Sequence, residues 1–344
     1  CIAKFLIMRL QLLIALMAGA LMPLAFAPFS FWPIVILSPA VLLYQTTLFN
    51  RPAQFYILGF VYGLGYFGVG VSWIYHSLHV FGHAPALVAG GLTLLMIMVL
   101  SFFIGAVLAL YQHISIRLQT KNIMWALPLL WFSMEWLKGW VFTGFPWLSL
   151  GYAHVQSPLS GFAPVIGVYG VGSLSLMISV LLVMWKIEHK YRYVLSVIAL
   201  GLSGFGLQHV NWTSATGSPI EISLIQGNIA QDKKWQPDQR QNILTTYWKA
   251  SQKNLSSDLI VWPEVAIPGR KDELQLSVLE PITERMKKNN SHLLTGILVT
   301  DWAEGGYYNS MILLGDDQGE YHKRHLVPFG EYYPFRELLQ FMKQ

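Results

Sequence analysis

Almost no charge falls in the first 217 residues, and this limits the chain more than any other feature. That stretch holds nine Lys and Arg and two Asp and Glu. The remaining 127 residues hold 14 and 16. A globular domain carries roughly 25% charged residues, which fits the second part and excludes the first. An apolar chain this poor in charge can satisfy its backbone only inside a bilayer or a very large core. A hydrocarbon layer about 30 Å thick calls for roughly 20 apolar helical residues per crossing. Seven segments approach that pattern: 10–27, 30–49, 53–75, 84–111, 122–137, 163–185 and 193–210. The fifth is the shortest and contains Pro128 and Glu135. The expected organisation is a membrane domain of about seven transmembrane helices over 1–217, then a soluble domain over 218–344.

The basic residues give this arrangement a direction. Lys4 and Arg9 precede the first span, and Arg51 separates the second from the third. Arg117 and Lys121 follow the fourth, and Lys186, Lys190 and Arg192 follow the sixth. These are alternate loops, so eight of the nine lie on one side and only Lys138 on the other. The excess of Lys and Arg marks the cytoplasmic face. Seven crossings then place residue 211 onward outside the inner membrane. The pI near 9.1 comes from these loops, which argues against nucleic-acid binding. Arg9, an apolar run and Ala25-Phe26-Ala27 also fit a cleavable signal peptide, although Pro28 follows directly. Cleavage would leave the orientation of the rest unchanged. The chain opens on Cys1, its only cysteine, so no internal disulfide is possible. Met8 is an alternative start.

Some membrane-half features carry competing readings. His76, His79 and His83 have metal-like spacing but no carboxylate close in sequence, so they read as interfacial residues of an outer loop. Gly59, Gly63, Gly65, Gly68 and Gly70 fall in one span and predict close helix packing. Glu135 and Lys138 share a helix face, either as a structural ion pair or as a substrate contact. Thr143-Gly144-Phe145-Pro146-Trp147 and Gly151-Tyr152 predict a rigid non-helical element. It either anchors the chain at the interface or shapes an opening toward lipid.

From Ser218 the pattern becomes that of an α/β domain. Strands are expected at 220–225, 259–262, 293–299 and 310–314, with another leading to Tyr321-His322-Lys323. Helices are expected at 237–254 and 272–289. Catalytic groups in such sheets gather where strands end. Glu264 follows an apolar strand, Lys323 follows the last one, and Glu331 lies in the turn-like Pro328-Phe329-Gly330-Glu331-Tyr332. A carboxylate and an ammonium converging on one pocket would suit acyl transfer, as proton acceptor and oxyanion partner.

These stretches together resemble a known family. Leu259-Ile260-Val261-Trp262-Pro263-Glu264-Val265-Ala266-Ile267-Pro268 and the run Tyr321 to Pro334 are similar to the nitrilase-type domain of apolipoprotein N-acyltransferases. Gln226-Gly227-Asn228 resembles the opening of that domain. Ala25-Phe26-Ala27-Pro28 with Trp32-Pro33, and the Thr143 to Tyr152 segment, resemble the family's membrane motifs. The resemblance implies a polytopic α-helical membrane domain followed by a partial α/β nitrilase-like domain, part of an αββα sandwich. It implies a bacterial inner-membrane enzyme with a periplasmic catalytic domain, working without metal or organic cofactor. The activity implied is transfer of a fatty acyl chain from a phospholipid donor to the diacylglyceryl-modified N-terminal cysteine of an apolipoprotein, through an enzyme thioester. Glu264 takes the position of the general base, Lys323 that of the oxyanion-stabilising lysine and Glu331 that of a supporting carboxylate. Trp235 takes that of an aromatic on a mobile loop over the site. The family nucleophile is a cysteine that these 344 residues lack, as they lack a final membrane helix. The expectation is therefore a C-terminally truncated fragment, inactive as it stands. A membrane-anchored carbon–nitrogen hydrolase and a non-catalytic lipid-binding scaffold remain as alternatives.

Overall fold

The computed structural model describes residues 2–119, 123–303, 305–327 and 331, in two compact units, Cys1–Ser214 and Ala215–Gln344. Lys121, Pro328-Phe329-Gly330 and the stretch from Tyr332 onward lie outside the described residues.

In the first unit every expected span contains a helix. These are α1 (Ile2–Leu21), α2 (Ile34–Thr46), α3 (Pro52–Gly70) continuing through a short α4 (Trp73–His76), α5 (Ala86–Arg117), α6 (Leu127–Lys138), α7 (Ala163–Glu188) and α8 (Tyr191–Leu207). Among the described residues three helical stretches are long and apolar enough to cross a membrane: Leu6–Ala25, Ala86–Arg117 and Pro158–Glu188. A fourth is possible if Pro52–Gly70 and Trp73–Phe81, bent by 48°, act as one span. At about 1.5 Å per residue, α2, α6 and α8 fall short of the hydrocarbon thickness on their own. The apolar residues divide between two environments. Leu100, Ile104 and Leu108 of α5 are buried in the bundle, while Leu94, Leu95 and Phe102 are exposed. An exposed apolar face of this kind suits lipid and not water.

The glycine-bearing span does pack closely. A Cβ on Gly63 would lie 2.7 Å from Ser101 Cα in α5, and one on Gly65 would meet the Leu16 carbonyl of α1. Gly68 faces open space, so the packing accounts for only part of the series. His79 Nδ1 lies 2.8 Å from the Ala84 carbonyl oxygen, and the His76 ring stands edge-on to Phe81.

Glu135 and Lys138 are both buried but form no ion pair with each other. Glu135 Oε1 accepts the Leu150 N–H at 2.8 Å, and Lys138 Nζ donates to the Trp147 carbonyl at 3.1 Å. Lys138 also stands over the Phe67 ring, 5.5 Å from its centroid. The expected ion pair is thus replaced by two charge-assisted hydrogen bonds to the backbone of one loop. Their shared target is the segment carrying Phe145, Pro146 and Trp147, which the two bonds hold in its non-helical course.

Among the described residues the second unit is built on a five-stranded mixed sheet. β1 (Ile222–Leu224), β2 (Leu259–Val261), β3 (His292–Asp301), β4 (Gly306–Leu314) and β5 (Gly319–His322) lie in sequential order. β1, β2 and β3 run parallel, and β4 and β5 return antiparallel. A short α9 (Gln231–Lys234) and a longer α10 (Arg240–Gln252) connect β1 to β2. α11 (Lys271–Leu274), a wide turn at Gln275–Leu279 and α12 (Glu280–Lys288) connect β2 to β3. Such parallel crossovers need helices on a face of the sheet. Ile243 and Tyr247 of α10, and Ile282 and Met286 of α12, pack with Ile260, Leu293 and Ile297 of the strands into one core.

Gly296 lies in the middle of β3, where a strand gains nothing from glycine. Its reason is the turn after β2. A Cβ at 296 would run into the Val265 backbone nitrogen, and the Gly296 carbonyl accepts the Ile267 N–H at 3.2 Å. Gly296→Ala is expected to push that turn away and destabilise the domain by about 1–3 kcal/mol through overpacking. Thermal unfolding checks this, and an unchanged midpoint would refute the close approach.

Candidate active site

The site is assembled where β2, β4 and β5 end or pass one another. Trp262 follows β2 and is almost fully buried, with its Nε1–H donating to Ser251 Oγ at 2.8 Å and its ring stacked on Tyr247. Its backbone N–H donates to the Leu294 carbonyl of β3 at 2.9 Å. With position 262 fixed, Pro263 turns the chain out of the sheet and Glu264 projects beyond it. Val265 then takes a left-handed φ of 46°, an uncommon state for a β-branched residue. It is held there by the β3 contact just described.

On the other side, β5 ends at His322 and the Lys323 N–H donates to the Asn309 carbonyl of β4 at 2.8 Å. That bond sets the two side chains beside each other. Lys323 Nζ donates to Glu264 Oε1 at 3.1 Å and to Glu331 Oε1 at 2.9 Å. Asn309 Nδ2 donates to the same two oxygens, at 2.6 Å and 2.9 Å. The four side chains close a ring in which two carboxylates alternate with an ammonium and an amide. Glu331 is secured from behind, since its Oε2 accepts the Val327 N–H at 2.8 Å.

Two groups of the ring are tuned. For Lys323, partial burial disfavours the charge, but its hydrogen bonds to both carboxylates outweigh this and hold its ammonium above the usual lysine range. For Glu331, partial burial acts against ionisation. The Lys323, Val327 and Asn309 hydrogen bonds outweigh it and hold the carboxyl below its ordinary value. The raised lysine contributes order fully below its unfolded pKa and loses it as pH rises through the raised one. The lowered carboxylate contributes above its unfolded pKa and loses it as pH falls through the depressed one. Both charges therefore persist throughout the neutral range.

The ring faces a cavity of about 390 Å³ whose walls include Trp235, Lys234, Tyr307, Asn309, Glu264 and Glu331. Lys234 Nζ donates to the Glu264 backbone carbonyl at 3.2 Å. Burial lowers its pKa, and the nearby Glu264 charge works the other way. Trp235 directly follows α9 and is 51% exposed, with one face on the cavity. All four residues expected from the sequence, Glu264, Lys323, Glu331 and Trp235, thus stand in or on this one site.

Asn309 and Lys234 were not singled out from the sequence. Asn309 falls just before the apolar run 310–314, where an Asn reads as a turn residue. In the structure β4 begins three residues earlier and carries it in register with Leu298 of β3. Its local signal is a strand-disfavoured residue directly after two tyrosines, Tyr307 and Tyr308. Asn309→Ala removes one donor from each carboxylate while leaving both charges in place. We expect the catalytic rate to fall about 10- to 100-fold through loss of alignment, with little change in thermal midpoint. A rate within twofold of wild type would refute a positioning role.

Comparison with known proteins identifies the family. Residues 18–181 match the family described as apolipoprotein N-acyltransferase N-terminal domain, and residues 221–343 match carbon-nitrogen hydrolase. The apolipoprotein N-acyltransferase of Coxiella burnetii is 39% identical over 92% of this chain and 66% of its own length. Those of Methylococcus capsulatus and Vibrio parahaemolyticus are 36% and 38% identical, over 96% and 95% of this chain and 66% of their lengths. The chain thus spans about two thirds of the length of the curated relatives it matches. With both of its units matched in order and a glutamate–lysine–glutamate site at the strand ends, the chain belongs to the apolipoprotein N-acyltransferase family.

Proposed function

We propose that the protein to which this chain belongs transfers a fatty acyl group from a phospholipid to the α-amine of a diacylglyceryl-modified N-terminal cysteine. The observation that carries this is the ring itself, a proton acceptor and a cation joined through Glu264 Oε1, in a chain related to named apolipoprotein N-acyltransferases along most of its length. The reaction proceeds in two halves. A thiol gives its proton to Glu264 while its sulfur attacks the donor's ester carbonyl, and Lys323 stabilises the oxyanion. Glu264 returns the proton to the departing lysophospholipid alkoxide, leaving a thioester. The acceptor amine then attacks the thioester and the thiol is restored. The thiol is that of a cysteine, by family resemblance.

The placement belongs to the same reading. Seven helices cross the inner membrane, the basic loops stay in the cytoplasm and the ring works on the periplasmic side. The buried bonds from Glu135 and Lys138 to the 147–150 backbone support a rigid element beside the bilayer.

The test uses the full-length protein in vesicles with acyl-labelled phosphatidylethanolamine and a diacylglyceryl cysteinyl peptide. The expected result is label on the peptide amine and, when the peptide is omitted, a hydroxylamine-labile adduct on the protein. Label released only as free fatty acid would favour the tethered hydrolase. No turnover and no adduct would favour the scaffold.

A further inference from the structure

A second cavity adjoins the first and contains no part of the carboxylate ring. It has a volume of about 190 Å³, and its walls include Lys234, Trp235, Arg240, Gly269, Arg270 and Glu273. Lys234 and Trp235 also line the cavity that holds Glu264, so the two spaces meet across these side chains. Three cations and one carboxylate border it, an excess of two positive charges. The carboxylate is engaged, since Glu273 Oε1 stands 4.0 Å from Arg270 Nε. Arg240 is half-buried at the start of α10, its guanidinium carbon 3.6 Å from where a Cβ on residue 269 would be. Among the described residues this guanidinium has no carboxylate partner within 4 Å. Among the described residues Lys234 has only the Glu264 carbonyl as an acceptor, and burial works against its charge.

We infer that this cavity binds the phosphate of the acyl donor. Planar guanidinium groups and an ammonium around a small hollow are the donor set for a tetrahedral oxyanion. Of the two substrates in the proposed reaction, only the phospholipid carries a phosphate. In a glycerophospholipid the scissile ester and the phosphate lie on one short glycerol unit. A phosphate held by Arg240 and Lys234 therefore brings the ester carbonyl toward Glu264 and Lys323 in the adjoining space. Trp235, between the two cavities, packs against the glycerol. The diacylglyceryl acceptor lacks the anion, so the subsite separates donor from acceptor at the first half-reaction. The inference rests on the proposed acyl transfer and adds the group by which the donor is recognised.

The experiment is steady-state acyl transfer by the full-length protein, with donor and acceptor varied in turn. Arg240→Gln is expected to raise the donor KM about tenfold, as loss of one charged hydrogen bond does, and to leave the acceptor KM within twofold. Arg240→Lys should recover part of the donor KM. Lys249→Gln, further along α10, serves as a charge control and should change neither constant. Inorganic phosphate should inhibit competitively against the donor, and less strongly in Arg240→Gln. An unchanged donor KM in Arg240→Gln, or equal rises in both KM values, would overturn the subsite. So would inhibition by phosphate that Arg240→Gln leaves unaltered. Absence of transfer by the wild-type protein would instead overturn the parent reading, and that outcome is distinct from the others.

Discussion

Glu264→Gln is expected to lower kcat/KM for acyl transfer by about a thousandfold, in the middle of the range that general-base catalysis supplies. The substitution keeps the size of the side chain and its carbonyl oxygen. That oxygen can still accept from Asn309 and Lys323, which now meet Glu264 Oε1 at 2.6 Å and 3.1 Å. What disappears is the ability to take a proton at neutral pH. The fold should not respond, because position 264 is held by its backbone neighbours. Trp262 is anchored to Ser251 and Leu294, and the Ile267 N–H to Gly296. A thermal midpoint within a degree or two of wild type would accompany the loss, and the thioester adduct would not accumulate. A variant retaining more than about a tenth of the activity would remove Glu264 from the role of base.

Lys323→Ala is expected to cost about 10²- to 10³-fold in kcat, the scale for loss of one oxyanion partner. It has a second signature. Without the ammonium, Glu264 and Glu331 face each other through Asn309 alone. Glu331 then loses the first of the hydrogen bonds that favour its charge and faces a like charge, so the acid limb of the pH–rate profile should move to higher pH. The direction follows from the present state, in which hydrogen bonds from Lys323, Val327 and Asn309 hold Glu331 below its ordinary pKa. Lys323→Arg should not restore the rate, since a planar fork cannot reproduce a point donor between two oxygens. An acid limb that stays in place would show that the lysine does not govern the carboxylates.

Much of this was readable in the residues, for specific reasons. The apolar block Leu259 to Trp262 marked β2, because a strand buried against helices imposes that pattern, and Ile260 and Trp262 are buried. The alternation in Ile220 to Ile225 marked β1, although Ile222 and Leu224 stand exposed at the edge of the described sheet. Glu264 and Lys323 could be picked out as groups immediately after strands. Their meeting could not, because it depends on β3 and β4 lying between their strands with Asn309 in the right register. The helix expected over 272–289 is interrupted by a wide turn at Gln275–Leu279, which periodicity does not reveal. In the membrane unit the apolar runs gave the helices but not their lengths, as the 13 residues of α2 show. Glu135 and Lys138 were correctly placed on one face. Sequence spacing says nothing about a loop 15 residues away whose N–H reaches that face.

Under the proposed acyl transfer, the closed ring of Glu264, Asn309, Glu331 and Lys323 also sets how the chemistry is timed. Counted as ions, it holds two negative charges and one positive charge. A single hydrogen ion arriving from the attacking sulfur brings it to neutrality, and a further one would make it cationic. Each half-turnover must therefore clear its hydrogen ion onto a departing group before the next begins, so that donor and acceptor are admitted one after the other.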